Sequence, residues 1–218
     1  MSKLFLDLLD KNRKDTFSKL KVFSNIGVLG GGTALALQIG HRKSYDFDIF
    51  INKKIDKNVW RKSKEVFSKD CIKILENEDQ LDLVTPDNIK VTFFNDDYSS
   101  LYASINNESI ALMDIKDIAT NKAFIQGKRP KWRDYVDLYF LLKKDYISFE
   151  NLILMSKKKF GAGFSEKLFF EQLIYWDDIE DYRIEYLAGN IEPQVIKNFL
   201  ELKVKNFTNK FIKSHQPI

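Results

Sequence analysis

The 218-residue sequence predicts an α+β fold: a small mixed sheet with helices over residues 1–110, then a helical bundle over residues 111–218. Three observations predict it. Short apolar or alternating runs, the signature of strands, all fall before residue 110. Helical patterns fill the rest, with no long linker near the boundary at Asn106–Ala111. The composition, 44% hydrophobic and 30% charged with 18 Phe, is that of a chain with apolar volume enough for a core.

Residues 4–22 read as an opening helix, because Leu4, Leu8, Leu9, Phe17, Leu20 and Val22 recur at helical spacing. The run Ile26-Gly27-Val28-Leu29 reads as a buried strand. Gly30-Gly31-Gly32 breaks it, and Thr33 is placed to cap the helix that follows. Gly40 ends that helix, and residues 41–44 form a loop. Tyr45–Ile51 alternates as a strand does. Residues 57–70 form an amphipathic helix with Val59, Trp60, Val66 and Phe67 on its apolar side. Leu81–Val84 and Ile89–Phe94 are further strands, joined by the turn Thr85-Pro86-Asp87-Asn88. Helices are expected at 114–126, 132–144, 148–159, 165–175, 177–188 and 193–213, with Pro193 in the first turn of the last.

One cysteine, Cys71, excludes an intramolecular disulfide and a cysteine metal cluster. No apolar run approaches the roughly 18 residues of a membrane span, and charges come too early for a secretory leader, so a soluble, cytoplasmic protein is expected. The net charge of +4 is compatible with an anionic substrate without requiring one. The run Lys157-Lys158-Lys159 reads as a solvated helix face.

The informative segment is Gly30–Phe50, GGGTALALQIGHRKSYDFDIF. A strand runs into glycines and then into a helix. Glycines let bare backbone N–H groups approach a ligand, and the helix start adds partial positive charge. Gly31, Gly32 and Thr33 therefore suit a phosphate. Asp46 and Asp48 stand two apart on a strand and share a face, while Phe47 and Ile49 point to the core. Two carboxylates on one face repel unless a cation lies between them, and hard oxygen ligands beside phosphates suit Mg²⁺ or Mn²⁺. A solvent-facing strand edge is the plainer alternative for this pair. Leu35 stands where a dinucleotide fingerprint needs its third glycine, and no Gly-Lys-Ser/Thr occurs, so neither a dinucleotide fold nor a P-loop is indicated. His41 and Arg42 are read either as phosphate contacts or as a cap on the helix C-terminus. Ser44 lies in the same loop.

Gly-Gly-Thr-Ala-Leu followed by His-Arg-x-Ser-x-Asp-Phe-Asp-x-Phe resembles the AbiEii/AbiGii toxin family of nucleotidyltransferases, members of the polymerase-β-like superfamily. Lys122 matches the family's lysine, and Arg133-Asp134-Tyr-Val-Asp137-Leu-Tyr its late acidic motif. The resemblance covers residues 25–142. It implies a polymerase-β-like core and transfer of a nucleoside monophosphate from a nucleoside triphosphate (NTP) to an acceptor hydroxyl, a tRNA 3′ end or a protein side chain. It implies Asp46, Asp48 and Lys122 as catalytic residues and Mg²⁺ or Mn²⁺ on the two aspartates. Gly31, Gly32, Thr33, Arg42, Ser44, Asp134 and Asp137 would serve the nucleotide. It also implies a toxin of a toxin–antitoxin or phage-defence pair with a cognate antitoxin. The plainer alternative is a buried ion pair of Lys122 with Asp134 or Asp137, and for Asp134 a helix N-cap.

One departure stands out. Relatives carry a third carboxylate on a later strand, where this chain has Thr92, which is neither an anionic ligand nor a strong base. Asp82, one strand over, is a candidate substitute. Taken at face value, Thr92 implies a non-catalytic nucleotide- or RNA-binding module instead of an enzyme.

Overall fold

The computed structural model of the chain describes residues 4–128 and 131–214, with side chains described through 210. It divides into two compact units, Met1–Ile115 and Lys116–Ile218.

The first unit is built on a five-stranded mixed sheet. Its strands are β1 (Val28–Gly30), β2 (Phe47–Ile51), β3 (Ile72–Glu76), β4 (Gln80–Val84) and β5 (Lys90–Asn95), in spatial order β1-β2-β5-β4-β3. Only β2 and β5 run parallel; the other neighbouring pairs are antiparallel. One face is dry, since Leu29, Phe47, Ile49, Ile51, Leu81, Leu83, Val91 and Phe93 are each 0% exposed. This is the face that the alternation in each strand predicts.

Helices α1 (Lys11–Lys19), α2 (Gly31–Ile39) and α3 (Lys57–Val66) complete the unit. The opening segment is broken, with 3-10 turns at Leu6–Leu8 and Leu20–Phe23 flanking α1, rather than one helix over 4–22. Its α-helical part starts late because the Asp10 carboxylate caps it by accepting from the Arg13 N–H. Helix α2 is buried almost all round and packs on β1 and β2. It stops at Gly40, whose φ of 62° is left-handed. Residues 111–113 pair with the outer edge of β1: the Leu29 N–H donates to the Ala111 carbonyl and the Met113 N–H to the Leu29 carbonyl, each at 2.8 Å. Strand β3 was absent from the sequence expectation. All five of its residues are exposed, and a register shift lies between Lys73 and Leu75, so no alternation marks it.

The second unit is helical: α4 (Ile115–Gln126), α5 (Trp132–Lys143), α6 (Phe149–Phe160), α7 (Glu166–Leu173) and α8 (Pro193–Ser214). Ser148 and Ser165 cap α6 and α7 with side-chain hydrogen bonds. Phe149, Phe169, Phe170 and Phe207 pack ring against ring where α6, α7 and α8 meet. The helix expected at 177–188 does not form. That stretch is irregular, with Ile179 buried and the Tyr182 ring 4.9 Å from the Trp132 ring. Among the described residues no helix is long and apolar enough to cross a membrane.

Candidate functional site

In the first unit, seven of the expected residues lie at or beside the start of α2: Gly31, Gly32, Thr33, Arg42, Ser44, Asp46 and Asp48. The helix begins one residue after its N-cap, Gly30, and no side chain caps its first turn. Thr33 is thus not the cap but the third residue of the helix. The first-turn N–H groups lack helical partners.

The glycines there are required by what lies against them. Gly31 has a φ of 66°, and a Cβ on it would sit 2.3 Å from an Asp48 carboxylate oxygen. A Cβ on Gly32 would sit 2.7 Å from Arg42 Nη2 and 3.0 Å from Ser44 Oγ. The helix start is therefore flanked by a carboxylate on one side and a guanidinium on the other. Placing Arg42 there excludes the alternative in which it caps the C-terminus of α2. A cation beside the positive end of a helix is unfavourable alone and favourable once an anion joins it. Arg42 is 4% exposed, and its Nη1 donates to the Lys43 carbonyl at 2.9 Å.

Asp48 reaches Gly31 because β1 and β2 are paired with Gly30 opposite Asp48. Asp46 precedes β2 by one residue, and both aspartates are half-buried. The Thr33 hydroxyl, 1% exposed, donates to the Asp46 carbonyl and lies 3.0 Å from Ser44 Oγ. Thr33 and Ser44 so fasten the 44–46 turn to α2, which fixes the backbone of Asp46. The Thr33 hydroxyl is engaged with the loop, and Ser44 Oγ lies beside Gly32 at the helix start.

Across the sheet the row continues from Gly30 to Asp48, Thr92 and Asp82. Thr92 is 1% exposed. Asp82 stands two strands from Asp48, about 10 Å at the backbone, too far to share an ion with it. Its charge is otherwise engaged: Lys90 Nζ lies 2.9 Å and Gln80 Nε2 2.7 Å from its oxygens. Burial alone would raise its pKa, but hydrogen bonds from Gln80, Lys90 and Thr92, with the Lys90 charge, outweigh it and hold Asp82 below the ordinary carboxylate range. Asp82 does not replace the missing third carboxylate. Among the described residues no three acidic, His or Cys side chains group as a metal site. The donor set at Asp46 and Asp48 still fits Mg²⁺, which keeps several waters and binds through one or two carboxylates plus substrate phosphates.

In the second unit Lys122, Asp134 and Asp137 form one buried cluster. Lys122 Nζ lies 2.6 Å from Asp134 and 2.8 Å from Asp137. Asp134 is not a cap; the N-cap of α5 is Lys131, without a side-chain bond. Sequence reading missed a second buried pair, Lys159 with Asp117 at 2.9 Å, both side chains 0% exposed. The lysine run of α6 is thus not wholly a solvated face. Only Lys159 of the three turns inward, and no signal in the run distinguishes it.

A family model described as "Nucleotidyl transferase AbiEii toxin, Type IV TA system" matches residues 17–183. An uncharacterized protein of Aquifex aeolicus is 28% identical over 207 residues, 90% of this chain and 98% of that protein. Among solved structures, a candidate nucleotidyltransferase of H. pylori superposes with a TM-score of 0.59 at 22% identity, over 96% of this chain and 100% of the other. MenT4, a nucleotidyltransferase toxin of Mycobacterium tuberculosis, superposes with a TM-score of 0.58 at 14% identity, over 91% of this chain and 86% of the other. These likenesses establish a shared fold.

Proposed function

We propose that this chain, which belongs to the AbiEii nucleotidyl transferase toxin family of type IV toxin–antitoxin systems, moves a nucleoside monophosphate from an NTP to an acceptor hydroxyl. The family makes it a nucleotidyltransferase and a toxin; the donor, the metal and the acceptor are our reading. We take the first unit as the transferase core and the second as its helical companion. The observation that carries the reading is the start of α2, where the Asp48 carboxylate and the Arg42 guanidinium occupy the space that side chains on Gly31 and Gly32 would fill.

The chemistry follows from that arrangement. Backbone N–H groups of Gly31 and Gly32 face the β- and γ-phosphates, and Arg42 neutralises them. Asp46 and Asp48 are the residues that would hold Mg²⁺ or Mn²⁺. Such a cation, when bound, screens phosphate charge and draws the acceptor oxygen towards phosphorus. Thr33 and Ser44 are positioning residues that keep Asp46 in place. The bond formed joins the acceptor oxygen to the α-phosphorus; the bond broken is that between the α-phosphorus and the bridging oxygen. Pyrophosphate leaves, and the hydroxyl proton passes to solvent. Lys122 with Asp134 and Asp137 enters as the lysine and acidic motif of the resemblance. An antitoxin partner is implied by the family.

The test is incubation of the full chain with labelled NTPs, Mg²⁺ or Mn²⁺, and total RNA or protein. Label transfer that Asp48→Asn abolishes supports the reading. Tight NTP binding with no transfer under either metal favours the second reading, a binding module, which Thr92 in the third-carboxylate position motivates.

A further inference from the structure

The two carboxylates that the transferase reading assigns to the metal are not held alike. Asp48 sits inside the sheet, paired with Gly30 on one side and Thr92 on the other. Its backbone is therefore set by the strand ladder. Asp46 lies one residue before β2, beyond both ladders. Strand pairing does not set the direction of its side chain. Two side-chain donors do so instead. The Thr33 hydroxyl of α2 donates to the Asp46 carbonyl. Arg13 of α1 donates from Nε to the carbonyl before it, that of Tyr45, at 3.2 Å. These two carbonyls belong to the peptide planes on either side of the Asp46 Cα. A peptide unit is planar, so orienting both planes fixes φ and ψ of Asp46 and with them the direction of its Cβ.

Arg13 is itself braced. Its backbone N–H donates to the Asp10 carboxylate at 2.9 Å in the cap of α1, and the same carboxylate pairs with its Nη1. The guanidinium carbon lies 4.7 Å from the centre of the Tyr45 ring. One planar group thus makes a hydrogen bond, an ion pair and a ring contact at once, which a lysine ammonium does not reproduce. Asp10 balances its charge on the spot, so Arg13 acts on Asp46 through the peptide and not as a distant counter-charge. Arg13 also precedes residues 17–183, the span that the family model matches. We infer that Arg13 is a positioning residue for the metal: by holding the Tyr45 carbonyl, while Thr33 holds the next one, it aims the Asp46 carboxylate at the cation that Asp46 and Asp48 would share. This rests on the transferase reading above, in which those two aspartates bind the cation.

The experiment titrates Mn²⁺ into the full chain without NTP and follows the free ion by electron paramagnetic resonance. Arg13→Met should weaken Mn²⁺ binding roughly 10-fold, the scale on which groups behind a metal ligand act, and Arg13→Lys should not restore it. Asp10→Ser keeps a helix cap but removes the brace, and should weaken binding by a smaller factor. The side chains of Arg13 and Asp10 are 22% and 52% exposed, and Asp10→Ser carries the test if Arg13→Met loses its fold. In an Asp46→Asn background Arg13→Met should add nothing. Transfer should need correspondingly more Mn²⁺, with the NTP KM at saturating Mn²⁺ held within about 2-fold. Unchanged Mn²⁺ binding in Arg13→Met, an equal loss with and without the Asp46 carboxylate, or full rescue by Arg13→Lys overturns the inference and leaves the transferase reading intact. A raised NTP KM with Mn²⁺ binding unchanged overturns it too, by making Arg13 a phosphate contact. Mn²⁺ binding that Asp46→Asn does not alter defeats both the inference and the metal assignment beneath it.

Discussion

Asp48 stands in register with Thr92 on the adjoining parallel strand, so the residue facing the proposed metal carboxylate across the sheet is a neutral hydroxyl. Thr92 in turn faces Asp82. Thr92→Asp would set three carboxylates in one row, each about 5 Å from the next at the backbone, with the middle one at a position 1% exposed. Like charges directly opposite destabilise a sheet. The variant should unfold at a lower temperature in metal-free buffer. Added Mg²⁺ or Mn²⁺ should recover part of the loss, and raise the midpoint more than in the wild-type protein, because binding to the folded state alone stabilises it. A midpoint that ignores both cations in variant and wild type would argue against a metal on Asp48.

Gly31→Ala tests the contact between the helix start and Asp48. An L side chain at a φ of 66° costs about 1–2 kcal/mol. The added Cβ would also lie 2.3 Å from the Asp48 carboxylate and must push it away. We expect a fall of several degrees in the unfolding midpoint and a loss of transfer of at least 100-fold, on the scale of a misplaced catalytic group. Gly127→Ala, where a Cβ meets nothing nearer than 3.6 Å, is the control and should leave transfer unchanged.

The strands that frame the site were legible because their alternation separates Asp48 from Phe47 and Ile49, which are 0% exposed. The glycines were legible as a strand-to-helix turn. That Arg42 and Asp48 fill the space over Gly32 and Gly31 was not, since those contacts depend on a loop crossing back to the helix start. Thr33 read as a cap because a threonine follows the glycines. The helix instead begins at Gly31 and turns that hydroxyl to the Asp46 carbonyl. Residues 177–188 carry helical-looking apolar residues, yet Tyr182 is drawn to Trp132 and accepts from Lys197 Nζ at 3.0 Å, contacts that override weak local propensity. Lys159 pairs with a residue 42 positions away, a relation that no local pattern encodes.

The charge on Asp82 gives the first unit an acid dependence. Its folded pKa lies below the ordinary value of 3.8: burial raises it, and bonds from Gln80, Lys90 and Thr92 lower it further than burial raises it. A depressed carboxylate stabilises the fold fully above its unfolded pKa and loses that contribution as pH falls through the folded one. Lys90→Met removes the cation 2.9 Å away and brings the folded pKa up. Urea midpoints should show the wild-type protein more stable by roughly 1 kcal/mol at pH 5–8, a figure kept small because Lys90 is partly solvated. The difference should shrink below about pH 4. A difference that persists undiminished at pH 2–3 would mean that Lys90 acts through packing and not through Asp82.

Lys122 is the residue whose structural and chemical roles are hardest to separate, and its two partners provide the means. Its ammonium lies 2.6 Å from Asp134 and 2.8 Å from Asp137, and the side chain of Asp137 is 0% exposed. Lys122→Met leaves buried carboxylates without this cation, a loss of about 3–5 kcal/mol, so loss of transfer in that variant alone proves nothing. Adding Asp134→Asn and Asp137→Asn removes the buried charges and should return most of the unfolding midpoint, as neutral replacements of buried ion clusters do. If the cluster of Lys122, Asp134 and Asp137 serves the transferred phosphates, the triple variant regains stability while transfer stays at least 100-fold down. If transfer returns with the midpoint, the lysine is a structural counter-ion only. Lys159→Met with Asp117→Asn, a fully buried pair outside the resemblance's motifs, supplies the comparison: its stability changes should carry no separate effect on transfer.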